Sequence, residues 1–283
     1  MTELLITGSN GQLGRALRDA AEKRGLATAG ADVDTLDITA PADVERWIAE
    51  HSPRVLVNCA AYTAVDDCEA NEIEATRVNG EAVGRLASLC TRHDTFFVHM
   101  STDYVFDGTA DRPYLETDPT CPLGAYGRSK LVGEIEARRA HRHLIVRTAW
   151  LYGLGGTNFV EAIRSQLQRN SAHLRVVADQ RGNPTYCGDL AETILDLVSN
   201  DVTGTIHAVN SGETNWHGFA LEIVRQLGLD VEVEPVTTDA FPRPAPRPAY
   251  SVLDTRRLHS ALGREMPSWQ DALARYLEAS CTG

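Results

Sequence analysis

Residues 4–14 read Leu4-Leu5-Ile6-Thr7-Gly8-Ser9-Asn10-Gly11-Gln12-Leu13-Gly14, and their reading decides the fold. Leu4 to Thr7 suits a short buried strand, and apolar residues at helical spacing run from Leu13 to Arg24. Between them stand three glycines spaced G-x-x-G-x-x-G. Strand, glycine turn and helix in that order form the context a dinucleotide-binding turn requires. Gly8 permits the tight turn, Gly11 lets the backbone approach a pyrophosphate, and Gly14 lets helix and strand pack closely. The unpaired N–H groups at the helix start then face the phosphates.

Outward from the turn, strands and helices keep alternating. Strands are expected at Leu26 to Gly30, Arg54 to Asn58, Phe96 to Ser101 and Leu144 to Thr148. Helices are expected at Ala42 to His51, with Thr39 as cap and Pro41 in the first turn, at Val78 to His93 and at Ala125 to Ala140. This order predicts an α/β fold: a Rossmann-like doubly wound parallel sheet with a smaller C-terminal α/β substrate-binding domain. The pattern loosens after about Trp150, although strands at Leu174 to Ala178 and Thr205 to Val209 and helices at Asp189 to Ser199 and Trp216 to Leu227 recur. Residues 1–150 therefore form the dinucleotide-binding domain and residues 151–283 mainly the substrate-binding region, with later segments returning to the sheet. The proline-rich run Phe241 to Pro248 fits neither helix nor central strand and is expected to cross the surface or a ligand as an extended segment.

The 283 residues, 43% hydrophobic and 23% charged, allow a sizeable core. A formal charge of -12 argues against a nucleic-acid partner, which needs clustered positive charge. Cys59, Cys68, Cys90, Cys121, Cys187 and Cys281 are scattered, without metal-ligand spacing, and are expected as free buried thiols. The N-terminus lacks the pattern of a signal peptide, and no apolar run approaches a membrane span. A cytoplasmic protein, monomer or homodimer, without a membrane partner is expected.

Two acidic positions bear on the adenosine half of a cofactor. Asp32 lies 18 residues after Gly14, near the end of the second strand, where a carboxylate can accept hydrogen bonds from a ribose hydroxyl; Asp34 reads as a solvated loop residue. No arginine or lysine stands between Leu26 and Pro41, which leans toward NADH over NADPH.

Tyr126-Gly127-Arg128-Ser129-Lys130 places a phenol and an ammonium four residues apart, on one helix face. A cation beside a phenol favours the phenolate, so the pair is expected to shuttle a proton at neutral pH. Ser101-Thr102-Asp103-Tyr104 follows the fourth strand, at the sheet end where functional loops gather. The Thr102 hydroxyl, 24 residues before Tyr126, can serve a substrate carbonyl oxygen and the tyrosine together.

These motifs resemble the extended short-chain dehydrogenase/reductase superfamily and, within it, the dTDP-4-dehydrorhamnose reductase family. The likeness extends through Asn58-Cys59-Ala60-Ala61-Tyr62-Thr63-Ala64-Val65-Asp66, Arg147-Thr148-Ala149-Trp150-Leu151-Tyr152-Gly153, Asp179-Gln180-Arg181-Gly182-Asn183-Pro184-Thr185 and Arg247-Pro248-Ala249-Tyr250-Ser251-Val252-Leu253-Asp254. It implies a NADH or NADPH cofactor held by Gly8, Gly11, Gln12, Leu13 and Gly14 at the pyrophosphate, Asp37 and Ile38 at the adenine, and Ala61, Tyr62 and Thr63 at the middle. It further implies Tyr126 as proton donor, Lys130 on the nicotinamide ribose and Thr102 assisting both. Thr102, Asp103, Trp150 and Arg247 would contact the substrate, a dTDP-linked 4-keto-6-deoxysugar, with Trp150 offering an apolar ring face to the sugar. Tyr250 stands where the family commonly has a smaller amide. Ala16 stands where metal-linked dimers of the family place an acid, so no metal site is expected.

Two rivals remain at this stage. A sugar-nucleotide epimerase or dehydratase shares the scaffold, but dehydratases usually continue Thr-Asp-Glu, whereas Tyr104 follows Asp103 here. A non-catalytic regulatory subunit needs only the fold, and the intact Thr102, Tyr126 and Lys130 argue against it.

Overall fold

A computed structural model describes residues 2–169 and 173–281. β1 (Leu4–Thr7) leads through the glycine turn into α1 (Gln12–Lys23), followed by β2 (Thr28–Ala31), α2 (Pro41–His51) and β3 (Val55–Asn58). Two short helices, α3 (Val65–Ala70) and α4 (Glu72–Thr76), run through a π-helical segment (Arg77–Glu81) into α5 (Ala82–Arg92). β4 (Phe96–Thr102), α6 (Ala125–Ala137) and β5 (His143–Thr148) complete the regular part. The rest holds β6 (Leu151–Tyr152), α7 (Phe159–Gln168), β7 (His173–Val177), β8 (Arg181–Gly182), β9 (Thr185–Tyr186), α8 (Cys187–Ser199), β10 (Gly204–His207), β11 (Thr214–Asn215), α9 (Trp216–Gln226), β12 (Glu232–Val236), α10 (Arg256–Leu262) and α11 (Trp269–Cys281).

Six strands form one parallel sheet in the order β10-β5-β4-β3-β1-β2. The connections leave β1 in one direction toward β2 and in the other toward β3. A crevice therefore opens at the carboxyl ends of these strands, where ligands of such sheets bind. All four residues of β1 and all seven of β4 are buried, because helices cover both faces. One apolar layer joins Ile6, Val57 and Ile206 to Leu17 of α1 and Ile194 of α8. The opposite layer joins Leu5, Leu56 and Phe97 to Ile48 of α2 and Leu86 of α5. A third cluster, around Tyr152, Ile163, Phe219, Ile223 and Leu273, packs α7, α9 and α11 with β7 and β12. The sheet and this smaller core give the α/β architecture expected from the sequence.

Several local readings need correction. Thr39 does not cap α2: Ala40 holds that position, and the Thr39 hydroxyl donates to Asp37 Oδ1 at 2.7 Å instead. The helix expected to begin at Val78 begins earlier, at Glu72, because the π-helical segment joins α4 to α5. α6 ends at Ala137, and β2 starts only at Thr28. Cys121 and Cys281 are exposed rather than buried, and all six thiols are free. The proline-rich run has no regular structure and lies across α3, where the Ala245 N–H donates to Asp66 Oδ1 at 3.2 Å. Among the described residues no helix is long and apolar enough to cross a membrane.

Candidate active site

The turn after β1 is shaped by what its glycines lack. Gly8 has φ +65, and a Cβ there would stand 2.7 Å from the Ala60 nitrogen; one on Gly14 would stand 2.2 Å from the Gly8 carbonyl oxygen. Any side chain at either position would therefore force β1, β3 and α1 apart. α1 is preceded by Gly11 at its cap position, with no side-chain cap and no acid in its first turn, which leaves its first N–H groups and positive dipole end available to an anion. That fits a dinucleotide pyrophosphate. Leu13 is buried in the core, so it can act there only through its backbone. Gln12 reaches across the crevice: its Nε2 donates to the Thr157 carbonyl at 3.1 Å, and its Oε1 accepts from Asn158 Nδ2 at 3.0 Å.

At the adenosine end, Asp32 holds the rim of the turn, accepting from the Asn10 N–H and the Val33 N–H, each at 2.8 Å. Asp37 is exposed and Ile38 buried. Hydrogen bonds from Thr39, aided by Arg77, hold the Asp37 carboxyl below its usual range. Leu26 to Pro41 indeed lacks a basic residue, yet α1 brings two to this rim. Arg15 Nε donates to the Asn10 carbonyl at 2.7 Å. The exposed Arg18 has its Cδ 3.7 Å from where a Gly30 Cβ would stand. The basic side chains at this rim come from the helix that faces the strand-and-loop stretch, so that stretch alone does not choose between NADH and NADPH.

Ala61, Tyr62 and Thr63 follow β3 on the crevice side. Their loop is fastened by Asn79, whose Oδ1 accepts the Tyr62 N–H at 2.8 Å and whose Nδ2 donates to the Tyr62 carbonyl at 3.0 Å. The same Nδ2 reaches Ser129 Oγ at 2.9 Å, tying the loop to α6. Asn79 lies in the π-helical segment, a distortion that frequently marks functional sites. The sequence reading missed it.

β4 and α6 bring Thr102, Tyr126 and Lys130 together. Thr102 ends β4; its hydroxyl donates to Asp103 Oδ1 at 3.0 Å and accepts the Tyr104 N–H at 3.2 Å. Lys130 is buried, and its Nζ donates to the Met100 carbonyl at 2.6 Å. Burial pushes this ammonium down to about 8, opposed by Glu134. Burial pushes the Tyr126 phenol above its ordinary value, reinforced by Asp103 and Tyr104 and opposed by the neighbouring Thr102 hydroxyl. Burial thus dominates the phenol, while the ammonium bonds the Met100 carbonyl. Asp103 is also raised by burial, to about 6. The Ser251 and Thr102 hydroxyls oppose that rise, yet Oδ2 has no partner with hydrogen-bond geometry.

An open cleft of about 700 Å³ lies beside Tyr104, whose ring meets that of Tyr126 edge-on at 5.8 Å, and Asp66, Trp216, Arg175, Arg243 and Arg247 also line it. Arg247 lines the cleft and is paired with Asp66 at 3.0 Å. Trp150 is placed differently from the reading. It adopts φ +46, and Trp216 covers its ring at a centroid distance of 3.6 Å and 7° between planes. A Cβ on Gly182 would come within 2.6 Å of the same indole. The ring that lines the cleft is Trp216, with Trp150 behind it. Trp216 Nε1 donates to Gln180 Oε1 at 3.1 Å, and Gln180 Nε2 to Thr238 Oγ1 at 2.9 Å, which fixes the stack. Tyr250 does not line the cleft; its hydroxyl points to Glu213 at 3.5 Å.

A glycine turn at the switch point of a parallel sheet, with threonine, tyrosine and lysine gathered at the end of β4, places the protein among the Rossmann-like, extended short-chain dehydrogenases/reductases. Comparison with known proteins narrows the class. The family described as "RmlD substrate binding domain" matches residues 1–281, and the chain belongs to it. It is 42% identical to a dTDP-4-dehydrorhamnose reductase of Streptomyces griseus, over 98% of this chain and 93% of that protein. It is 46% identical to a probable dTDP-4,6-dihydroxy-2-methyloxan-3-one 4-ketoreductase of Streptomyces antibioticus, over 95% of this chain and 92% of the relative. Among solved structures, a dTDP-4-dehydrorhamnose reductase of Bacillus anthracis in complex with NADP superposes with TM-score 0.95 at 36% identity, covering 99% of this chain and all of that one (100%).

Proposed function

We propose that this protein is a NADH- or NADPH-dependent reductase of the C4 keto group of a dTDP-4-keto-6-deoxyhexose, taking dTDP-4-dehydro-L-rhamnose to dTDP-L-rhamnose. The observation that carries the reading is the meeting of Thr102, Tyr126 and Lys130 beside the glycine-turn crevice, in a chain whose relatives are named for this reduction.

The bound nicotinamide would supply the hydride. The chain's own residues supply the rest. The uncapped start of α1 holds the pyrophosphate, and the loop fastened by Asn79 holds the middle of the cofactor. Tyr126 keeps its proton at neutral pH because burial disfavours the phenolate, so it can act as an acid. It delivers that proton to the oxygen on the sugar C4 as charge builds there. Thr102, a hydroxyl already beside the phenol, donates to the same oxygen, and a preorganised donor of this kind acts most where charge develops. Lys130 then faces the phenolate left behind. Arg247 and its neighbours Arg243 and Arg175 offer positive charge to the diphosphate, and Trp216 offers the apolar wall.

The 46% identity to a 4-ketoreductase acting on another deoxysugar favours one second reading, in which the same C4 reduction serves a different dTDP-linked ring. The test follows NADH and NADPH absorbance with dTDP-4-dehydrorhamnose and identifies the product by NMR. Oxidation of either cofactor with formation of dTDP-rhamnose is expected. Failure to oxidise either would overturn the reading.

A further inference from the structure

The cleft that would take a nucleotide diphosphate is lined by a carboxylate as well as by arginines. Asp66 lies in the first turn of α3, directly after the loop of Ala61, Tyr62 and Thr63. A negative charge beside a bound dianion weakens its binding unless that charge holds something the ligand needs. What Asp66 holds is the proline-rich strap, residues 241–248. Pro242, Pro244, Pro246 and Pro248 remove every second N–H, so the strap can join no ladder and has no regular structure.

Both ends of the strap are fastened to the later loops. The Thr238 N–H and Oγ1 donate to Asp179 Oδ2 at 2.9 Å and Oδ1 at 2.7 Å, and the Ala249 carbonyl accepts the Arg181 N–H at 2.8 Å. Its middle is fastened to α3. Asp66 Oδ1 accepts the Ala245 N–H at 3.2 Å and pairs with Arg247 Nη2 at 3.0 Å, while Oδ2 lies 3.8 Å from Arg243 Nη1. Arg247 Nη1 donates to the Ala245 carbonyl at 2.7 Å, which closes the contact. One carboxylate thus meets a backbone N–H and two guanidiniums of the same strap. Packing follows the same path: Ala245 is buried between the exposed Pro244 and Pro246, and a Cβ on Gly108 would stand 2.6 Å from that of Pro248.

Arg247 is held without being used up. Its side chain is 17% exposed against 64% for Arg243, so Asp66 fixes the more enclosed of the two. A guanidinium carries five N–H donors, and two contacts leave others for phosphate oxygens. Without Asp66, Arg247 and the strap would have to be ordered at the moment of binding, which costs affinity.

Resting on the reading of this cleft as a sugar-nucleotide site, we propose that Asp66 is a positioning residue for the diphosphate: it pins the strap to α3 and presets Arg247 on the cleft wall. Asp66 itself touches no phosphate; it acts through Arg247.

The test titrates dTDP into the full-length protein by calorimetry, for the wild type, Asp66→Asn, Arg247→Ala and the double variant. Asparagine keeps an oxygen for the Ala245 N–H and removes only the charge. Asp66→Asn should weaken dTDP binding about tenfold, the cost of ordering a long side chain and its segment on binding. NADPH affinity, read by fluorescence titration, should stay at its wild-type value. Because Asp66 acts through Arg247, the double variant should bind dTDP within about twofold of Arg247→Ala alone. Equal or tighter dTDP binding by Asp66→Asn would mean that the carboxylate only repels the ligand, and additive losses in the double variant would take Arg247 out of its action. Either result overturns the proposal, as does a wild type without affinity for dTDP, or a parallel fall in NADPH affinity, which would assign Asp66 to the loop's structure alone. The titration needs no turnover: a protein that couples Asp66 and Arg247 on dTDP but oxidises neither cofactor with the 4-keto sugar would sink the reductase reading and keep this one.

Discussion

The sheet wall of the crevice and the wall built by the later loops hold their polar groups by different means. On the sheet wall, Thr102, Asp103, Lys130, Asn79 and Glu134 are all buried, and each sits on a regular element or within one residue of its end. On the facing wall, Arg175 pairs with Glu234 on a two-stranded ribbon open to water. Exposed pairs of this kind contribute little to stability and exchange readily with solvent or ligand. Proton delivery needs a fixed geometry in a dry place. Recognition of a charged, hydrated nucleotide end does not, and loops carried on a rigid frame serve it well.

Substitutions on the two walls should therefore fail in different ways. The largest effect is expected from Tyr126→Phe, which should lower kcat by about 10³ while leaving NADPH affinity, read by fluorescence titration, unchanged. A Phe variant that turns over at the wild-type rate would remove Tyr126 from the chemistry. Thr102→Val should cost about 10² in kcat, because one preorganised donor to the developing alkoxide is lost. An effect on KM alone would move Thr102 to the recognition wall.

Asp103→Asn sharpens the comparison through stability. The native carboxyl, raised to about 6, binds its proton more tightly folded than unfolded, so wild-type stability falls as pH rises from about 4 through 6. The Asn variant lacks that fall. It should be more stable than wild type by about 3 kcal/mol at pH 8, and the gain should vanish near pH 4, as measured by urea unfolding. An equal gain at both pH values would contradict the buried-carboxyl account. The smallest effect belongs to the loop wall: Trp216→Ala should raise KM about tenfold, near 1.4 kcal/mol, with kcat changed by less than about threefold. Loss of kcat instead would show that the indole stack orders the chemistry.

How legible each wall was in the sequence follows the same division. The glycine turn and the Thr102, Tyr126, Lys130 set could be read because each lies in, or directly beside, an element with a strong hydrophobic period. The stretch from Val65 to Thr76 was not, because α3 and α4 are helices of six and five residues, too short for periodicity to speak. Asn79 was hidden because a π-helical segment has no local sequence signature. The burial acting on Tyr126 was not legible either, because it comes from residues far away in the chain, whereas the Lys130 neighbour is visible at i+4. Trp150 was read from a motif, yet its ring is covered by Trp216, 66 positions on, and only the packing reveals which of the two faces the cleft.

The outer position of β10 limits what can be removed from this chain. β10 pairs with β5, and α8 packs on α1, although both lie beyond the first loops of the facing wall. A fragment truncated after Trp150 would leave β5 as an unprotected strand edge and strip Leu190 and Ile194 from the layer over Ile6 and Leu17. Bare edges of that kind recruit other chains. Such a fragment should aggregate on expression, and the nucleotide-binding half gains its solubility only when the polypeptide has passed through the other half and come back.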